Sequence, residues 1–177
     1  MNTTIKKTTR EEVKDYTVFI CSAGSKPEDL GLNEDETAAL KKELSKDKKL
    51  LPLLIESVKT FVYFIPENKE NHIVLEKCRE QGSALLKKLN EEKATEVTLI
   101  DFSGNATEVL AFAEGIVLAN YQFLKYFSDA KKRQNTLQKI LIFGDEISEK
   151  SIKELQSLTE ATCFARDLVN EPVCYLT

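Results

Sequence analysis

The sequence is poor in histidine and lacks the common catalytic and nucleotide-binding motifs. It contains one histidine, His72, and no GxGxxG, GxxxxGK[ST], HExxH or GxSxG motif. A histidine-rich metal site therefore cannot be assembled within one chain. His72 lies in NKENHIVLEK near the start of a predicted helix, where we expect it at the surface. A Cys-His nucleophile pair that uses His72 stays formally possible, but no nearby residue supplies the partner.

Cysteine, glycine and proline are also scarce. The four cysteines, Cys21, Cys78, Cys163 and Cys174, lie far apart without a CxxC pair, which argues against a zinc ribbon and a thioredoxin-type site. Cys21 and Cys78 fall within apolar patterns and are expected in the core. The six glycines and four prolines leave few flexible loops of the kind that usually carry binding and catalytic residues.

The sequence has no excess of basic charge and no long apolar run. Its 25 basic and 29 acidic residues give a formal charge of -4, which disfavours a protein that mainly holds nucleic acid. The only compact basic cluster near an aromatic helix, Lys131-Lys132-Arg133, is expected to be a solvated loop. No apolar run approaches about 18 residues, and the N-terminus lacks the apolar stretch of a signal peptide. We therefore expect a cytoplasmic protein that binds neither nucleic acid nor membrane.

Short runs rich in β-branched and aromatic residues predict the strands. Their nearly continuous apolar content is typical of strands that helices cover on both faces. Four runs are clear: YTVFICS (16–22), TFVYFIP (60–66), EVTLIDF (96–102) and KILIFG (139–144). Two are weaker: TTIKKTT (3–9) and KLLPLLIE (49–56). Pro52 in the last run cannot donate to a ladder and places that strand at an edge or a bulge, in a short hairpin with TFVYFIP.

Helices with recognisable starts separate these strands. Asn33 with Glu36, and Asn105 with Glu108, each place a capping side chain before a carboxylate at the third helical position. Two helices carry apolar stripes, formed by Val74, Cys78, Leu85 and Leu89 and by Val109, Phe112, Ala113, Ile116, Val117, Tyr121 and Leu124. The last helix begins between Ile147 and Ser151 and continues to about Asn170. The pattern predicts one α/β domain, layered helix-sheet-helix, with a mixed, mostly parallel sheet of about six strands.

Polar residues follow two of the strands at the edge where α/β sheets usually bind ligands. Asp101 ends one strand, and Asp145 lies just after another. A hydrogen bond to a nearby helix N-terminus explains either carboxylate without a ligand. Ser103-Gly104-Asn105 could offer backbone amides to an anion, but Asn105 as a helix cap explains that stretch equally well. We therefore assign no catalytic, cofactor-binding or metal-binding residue to this chain.

Two stretches together resemble the leucyl aminopeptidase family, the cytosol aminopeptidases. FAEGIVLANYQFLKYF (112–127), followed by the strand KILIFG, is similar to the helix that closes that family's N-terminal domain. ARDLVNEPVCYLT (165–177) is similar to the interdomain segment, in which an Ala-Arg-Asp-Leu-Val-Asn helix end precedes a proline and a Leu-Thr entry into the catalytic domain. The family's N-terminal domain is in turn similar in fold to macro domains.

The resemblance implies a division of the chain. Residues 1–170 would be a non-catalytic N-terminal domain, and residues 171–177 would start the linker into a catalytic domain that this chain lacks. In the family that domain holds two divalent metals, zinc or manganese, which activate a water and polarise the scissile carbonyl. The resemblance also implies a homohexameric parent. Ala113-Glu114-Gly115 echoes the family's metal motif, but Ala111-Phe112 precedes it instead of Thr-Asp.

Two other functions stay open. One is a stand-alone macro-like module that binds a ligand, and the other is a small enzyme that uses strand-end carboxylates and a metal taken from solvent. Macro domains hold ADP-ribose on glycine-rich loops, whereas this chain reads IPENKEN after the strand TFVYFIP. We therefore expect no nucleotide binding.

The resemblance also makes an expectation for the last helix. If this helix bridges to another domain, its first half should pack on the sheet through Ile152, Leu155 and Leu158. The apolar residues of its end and of the following segment, Leu168, Val169, Tyr175 and Leu176, should be exposed or covered by another molecule.

Overall fold

The computed structural model describes residues 3–9, 16–44, 49–55, 58–67 and 70–172. The strands in these ranges are β1 (Thr4–Lys7), β2 (Tyr16–Cys21), β3 (Leu50–Ile55), β4 (Val58–Phe64), β5 (Glu96–Phe102) and β6 (Lys139–Phe143). The helices are α1 (Glu34–Leu44), α2 (Asn71–Glu91), α3 (Ala106–Asn120), α4 (Ala130–Arg133) and α5 (Glu149–Asn170), and a short 3₁₀ helix spans Pro27–Leu30. All six predicted strands are confirmed.

The six strands form one mixed sheet in the order β1-β6-β5-β2-β4-β3. Every neighbouring pair is parallel except β3 and β4, which are antiparallel. β3 lies at an edge of the sheet, where a residue without an N–H donor is tolerated, so the placement predicted from Pro52 is confirmed. The mixed, mostly parallel sheet is confirmed as well.

Side chains of β2 alternate between two layers of helices. Val18 and Ile20 pack with residues of α2, α3 and α5, and Phe19 and Cys21 pack with Leu40 of α1 and with the 3₁₀ helix. The predicted helix-sheet-helix arrangement therefore holds, with the larger core on the α2 and α3 side. Cys21 lies in one core and Cys78 in the other, and both are fully buried, as predicted.

The predicted helix starts are confirmed by hydrogen bonds. At α1, the Asn33 side chain accepts from the Glu36 N–H (2.9 Å), and the Glu36 carboxylate accepts from the Asn33 N–H (3.0 Å). At α3, the Asn105 side chain accepts from the Thr107 N–H (3.1 Å). The Ser148 side chain caps α5, which begins at Glu149 inside the predicted window and ends at Asn170.

The predicted length of the third long helix is wrong. α3 ends at Asn120, so Tyr121 and Leu124 lie in an irregular segment after it. The buried Asn120 amide explains this end, because its Nδ2 donates to the Leu137 carbonyl oxygen and to Thr3 Oγ1, both at 2.8 Å. These partners turn the chain away from the helix axis.

The basic cluster Lys131-Lys132-Arg133 is exposed, as expected, but it forms the short helix α4 and not a loop. The guanidinium of Arg133 donates to both carboxylate oxygens of Asp129 (2.8 and 2.9 Å) and lies 4.8 Å from the centre of the Phe127 ring. An i,i+4 pair of this kind stabilises a helical turn.

Two glycines set the distance between α2 and α3. A Cβ on Gly82 would lie 2.1 Å from the carbonyl oxygen of Phe112, and one on Gly115 would lie 2.1 Å from the carbonyl oxygen of Arg79. Both distances are far below van der Waals contact, and the obstructing atoms belong to the backbone. An ion pair between Arg79 Nε and Glu114 Oε2, 2.7 Å apart, joins the same two helices.

We predict that Gly82→Ala and Gly115→Ala each destabilise the protein. The added methyl group would push the helices apart, at a cost of roughly 1–3 kcal/mol or more, although alanine favours a helix by about 1 kcal/mol over glycine. Urea unfolding followed by circular dichroism measures the change. Gly24→Ala is the control, because its Cβ would meet nothing within 4 Å. The interpretation is wrong if either helix variant is as stable as the control.

Candidate functional site

The strand-end carboxylate Asp101 is engaged in its own turn. Its Oδ1 accepts from the Ser103 N–H (2.8 Å), the Ser103 hydroxyl (2.8 Å) and the Gly104 N–H (3.0 Å). Asp101 therefore closes the turn between β5 and α3. This differs from the expected hydrogen bond to the first turn of a helix. The Gly104 amide is already bound to this carboxylate, whereas Asn105 caps α3 as predicted. Asp145 is exposed in the turn after β6.

Two other titratable groups near this turn, Glu108 and Cys21, have raised pKa values. Burial raises the pKa of the Glu108 carboxyl, and the nearby Asp101 carboxylate raises it further. Burial also raises the pKa of the Cys21 thiol to about 12, so Cys21 is protonated at neutral pH and is a poor nucleophile. Within the described ranges, no group of three or more His, Cys, Asp or Glu side chains could hold a metal ion.

His72 lies on the surface, as expected. Its Nε2 is 3.4 Å from Glu70 Oε2, and 79% of its side chain is exposed. The structure thus places His72 at the start of α2, beside an exposed carboxylate. The buried Cys78 of the same helix has a pKa raised to about 12, chiefly by burial, so it offers no thiolate for a Cys-His pair at neutral pH.

The first half of α5 packs on the domain and the second half does not. Ile152 and Leu155 are buried, as predicted, together with Thr159. The prediction for Leu158 is wrong, because this residue is 56% exposed. At 3.6 residues per turn, Leu158 lies about 240° around the helix from Ile152 and therefore outside the buried stripe.

The end of α5 presents apolar side chains to solvent. Leu168 is 45% exposed and Val169 is 85% exposed, so the expectation for these two residues is confirmed. Phe164, which the sequence analysis did not single out, is 64% exposed. Phe164 lies four residues before Leu168, so both side chains are on one side of the helix. This spacing is the sequence signal that could have identified Phe164. Tyr175 and Leu176 lie outside the described residues.

Polar contacts hold this second half of α5 against the segment that follows α3. Arg166 Nη1 donates to the Leu118 carbonyl oxygen (2.7 Å), and the Tyr121 hydroxyl donates to Asp167 Oδ1 (2.8 Å). Past the helix end, Lys125 Nζ lies 2.6 Å from Glu171 Oε1, which also accepts from the Tyr126 hydroxyl. These hydrogen bonds lower the pKa of Glu171. We refer to the contacts of residues 118–126 with residues 166–171 as the clasp.

A groove of about 710 Å³ lies beside the clasp, between α5 and residues 120–135. Its apolar lining comes from Phe123, Leu124, Phe164 and Leu168, and its charged lining from Lys125, Lys131, Asp167 and Glu171. The segment before β6 and the end of α3 form one wall, so this α5 groove lies at the end of the sheet opposite Asp101. Exposed apolar side chains around a concave surface are typical of an interface.

α5 is 22 residues long, but it carries charged side chains throughout its length. None of the helices in the described ranges is both long enough and apolar enough to cross a membrane.

Curated relatives match part of the chain in sequence. A protein of Clostridium perfringens named as a cytosol aminopeptidase is 35% identical over 115 residues, which are 59% of this chain and 23% of that protein. One of Aquifex aeolicus with the same name is 32% identical over 126 residues, 69% of this chain and 25% of that protein. The chain thus spans about a quarter of the length of the curated relatives it matches. No family model matches.

Solved structures match nearly the whole chain in fold. A mutant of tomato leucine aminopeptidase superposes with a TM-score of 0.64 at 16% identity, over 97% of this chain and 38% of that chain. The leucyl aminopeptidase of Leishmania major in complex with actinonin gives 0.61 at 14% identity, over 98% and 36%. At these identities the likeness shows the fold alone.

We predict that an alanine substitution in the first half of α5 destabilises the protein more than one in the second half. Leu155→Ala should cost about 2–5 kcal/mol, because it opens a cavity in the core. Phe164→Ala and Val169→Ala should change the free energy of unfolding by no more than about 0.5 kcal/mol, as exposed positions do. Urea unfolding of the three variants gives the comparison. A loss at Phe164 as large as that at Leu155 would show that the end of α5 is packed against its own chain.

Proposed function

This chain matches the N-terminal domain of the leucyl aminopeptidase family, the cytosol aminopeptidases, and from that premise we propose that it is the non-catalytic N-terminal domain of such an enzyme. In this proposal residues 1–170 are the domain and residues 171–177 start the linker into a catalytic domain. The complete protein is cytoplasmic and removes N-terminal amino acids from peptides with two divalent metals, zinc or manganese, held in the catalytic domain.

The observation that carries this proposal is the apolar end of α5. Phe164, Leu168 and Val169 are exposed on the last two turns of α5, just before residue 171, where the linker would begin. Full burial of an apolar side chain of this size contributes roughly 1.5–3 kcal/mol, and these three residues, which are 45–85% exposed, leave part of that stabilisation unused. A second domain that follows residue 170 in the chain would reach this surface first.

The charges around the α5 groove suit an interface between domains of one chain. Such interfaces are more polar than permanent ones between subunits. Lys125 and Glu171 pair at the rim, and Lys131 and Asp167 also line the groove. The rim therefore offers charged groups of both signs around an apolar centre. A homohexameric parent is part of the proposal.

The alternative of a macro-like nucleotide-binding module has less support. An anion at the carboxyl ends of the strands would need free backbone amides. Asp101 already accepts from the amides of Ser103 and Gly104, and its negative charge would repel a pyrophosphate. We therefore propose that this domain does not bind ADP-ribose.

We predict that the isolated chain does not hydrolyse leucine p-nitroanilide. Two-metal hydrolysis needs a set of ligands that holds the ions about 3.5–4 Å apart, and we assign no such ligands here. The purified chain is incubated with zinc or manganese, and release of nitroaniline is measured by absorbance. The Clostridium perfringens relative, treated in the same way, is the positive control. Metal-dependent hydrolysis by the chain above the buffer rate would overturn the proposal.

We predict that Leu168→Glu acts on the complete protein and not on the isolated domain. In the domain alone the side chain is half exposed, so the unfolding free energy should change by about 0.5 kcal/mol or less. In the complete protein the added charge would enter the interface, and the linker should become easier to cleave in limited proteolysis. Leu54→Glu is the control, because Leu54 on β3 is also exposed (62%, against 45% for Leu168) and lies far from the end of α5. Equal cleavage of both variants would contradict the proposed interface.

A further inference from the structure

A separate cavity of about 320 Å³ opens at the other end of the sheet, beside the carboxyl end of β4. Its apolar lining consists of Leu44 at the end of α1, Leu51 of β3, and Phe64 and Pro66 at and after the end of β4. Ligands of α/β proteins usually bind outside the carboxyl ends of the parallel strands. A volume of this size is at the lower end of the range of small-molecule sites.

One polar side chain in the cavity wall has no partner. Gln81 of α2 is only 8% exposed, and its amide makes no hydrogen bond with any described residue. Buried amide groups are nearly always paired, because an unmade hydrogen bond costs about 1–3 kcal/mol. Among the described side chains, the polar atoms that are both fully enclosed and without a hydrogen-bond partner are Thr17 Oγ1, Thr98 Oγ1 and the Tyr63 hydroxyl, and the Gln81 amide is not one of them. The amide therefore keeps some exposure, and because Gln81 lines the cavity, a ligand bound there could pair with it.

Two lysines border the same cavity. Lys77 Nζ is 2.9 Å from Glu80 Oε2, so its charge is already balanced. Lys49 is exposed and forms no ion pair with a described carboxylate. Its charge does reach this region, because it adds to the Lys77 hydrogen bond in lowering the pKa of Glu80. Counting only the described lining residues and Glu80, the rim thus carries one positive charge in excess.

We propose that this cavity binds a small monocarboxylate with an apolar body. The apolar part would lie among Leu44, Leu51 and Phe64, and the carboxylate would accept a hydrogen bond from Gln81 Nε2 and pair with Lys49 Nζ. Charge-assisted hydrogen bonds of this kind are among the stronger polar contacts in proteins. This site is independent of the α5 groove and of the role proposed for the domain.

Titration calorimetry with hexanoate, octanoate and decanoate tests the proposal on the 177-residue chain. Saturable one-to-one binding is expected, with octanol at least tenfold weaker because it lacks the charge. Gln81→Leu and Lys49→Gln should each weaken octanoate about two- to tenfold, the effect of losing one hydrogen bond. Lys87→Gln is the control. Lys87 is exposed on α2, the helix that carries Gln81, and this variant should bind octanoate as the unsubstituted chain does.

Nuclear magnetic resonance locates the bound molecule. The side-chain NH₂ signals of Gln81 should shift on addition of octanoate, which a structural role alone would not produce. The proposal is overturned if no saturable binding is found, if octanol binds as well as octanoate, or if the shifts map away from this cavity. Lys49 is exposed, so Lys49→Gln should fold normally even if Gln81→Leu does not. Unchanged affinity in that variant also overturns the proposal.

Discussion

The backbones of α2 and α3 touch through Gly82 and Gly115, and the position of most functional features follows from that contact. It fixes α3 on the sheet, so that Asn120 reaches Thr3 and Leu137 and directs the chain into residues 121–126. That segment forms one half of the clasp. On its other side, α2 carries Gln81 to the cavity beside β4. A single close approach of two helices therefore sets both candidate surfaces, at opposite ends of the sheet.

The two halves of α5 are held by different forces. The first half buries Ile152 and Leu155, which stabilise it by removing apolar surface from water. The second half is held by hydrogen bonds through Arg166 and Asp167, which contribute only about 0.5–1.5 kcal/mol each. A helix attached in this way keeps a defined direction while its apolar side stays available. This suits a segment that connects two domains.

Local patterns predicted most of the fold, and distant contacts explain the missed end of α3 and the missed cavity, whereas the exposed Leu158 and the short helix α4 are local features that were misjudged. All strands, the sheet type and the capped helix starts depend on neighbouring residues, and the sequence shows them directly. The end of α3 depends on Asn120 meeting Leu137 and Thr3, which are far away in sequence. The resemblance predicted that Leu168 and Val169 would be exposed, but it did not identify Phe164. The cavity beside β4 was invisible for the same reason as the end of α3, since α1, β3, β4 and α2 all contribute to it.

Pro52 has a further consequence for the behaviour of the protein in a crowded cell. The exposed edge strand LLPLLI is apolar, and Leu54 is 62% exposed. An uninterrupted edge of this composition would be a template on which a strand of another molecule could form a ladder and start an aggregate. The proline removes one donor from that template. Pairing of this edge with a strand of another molecule is weakened accordingly.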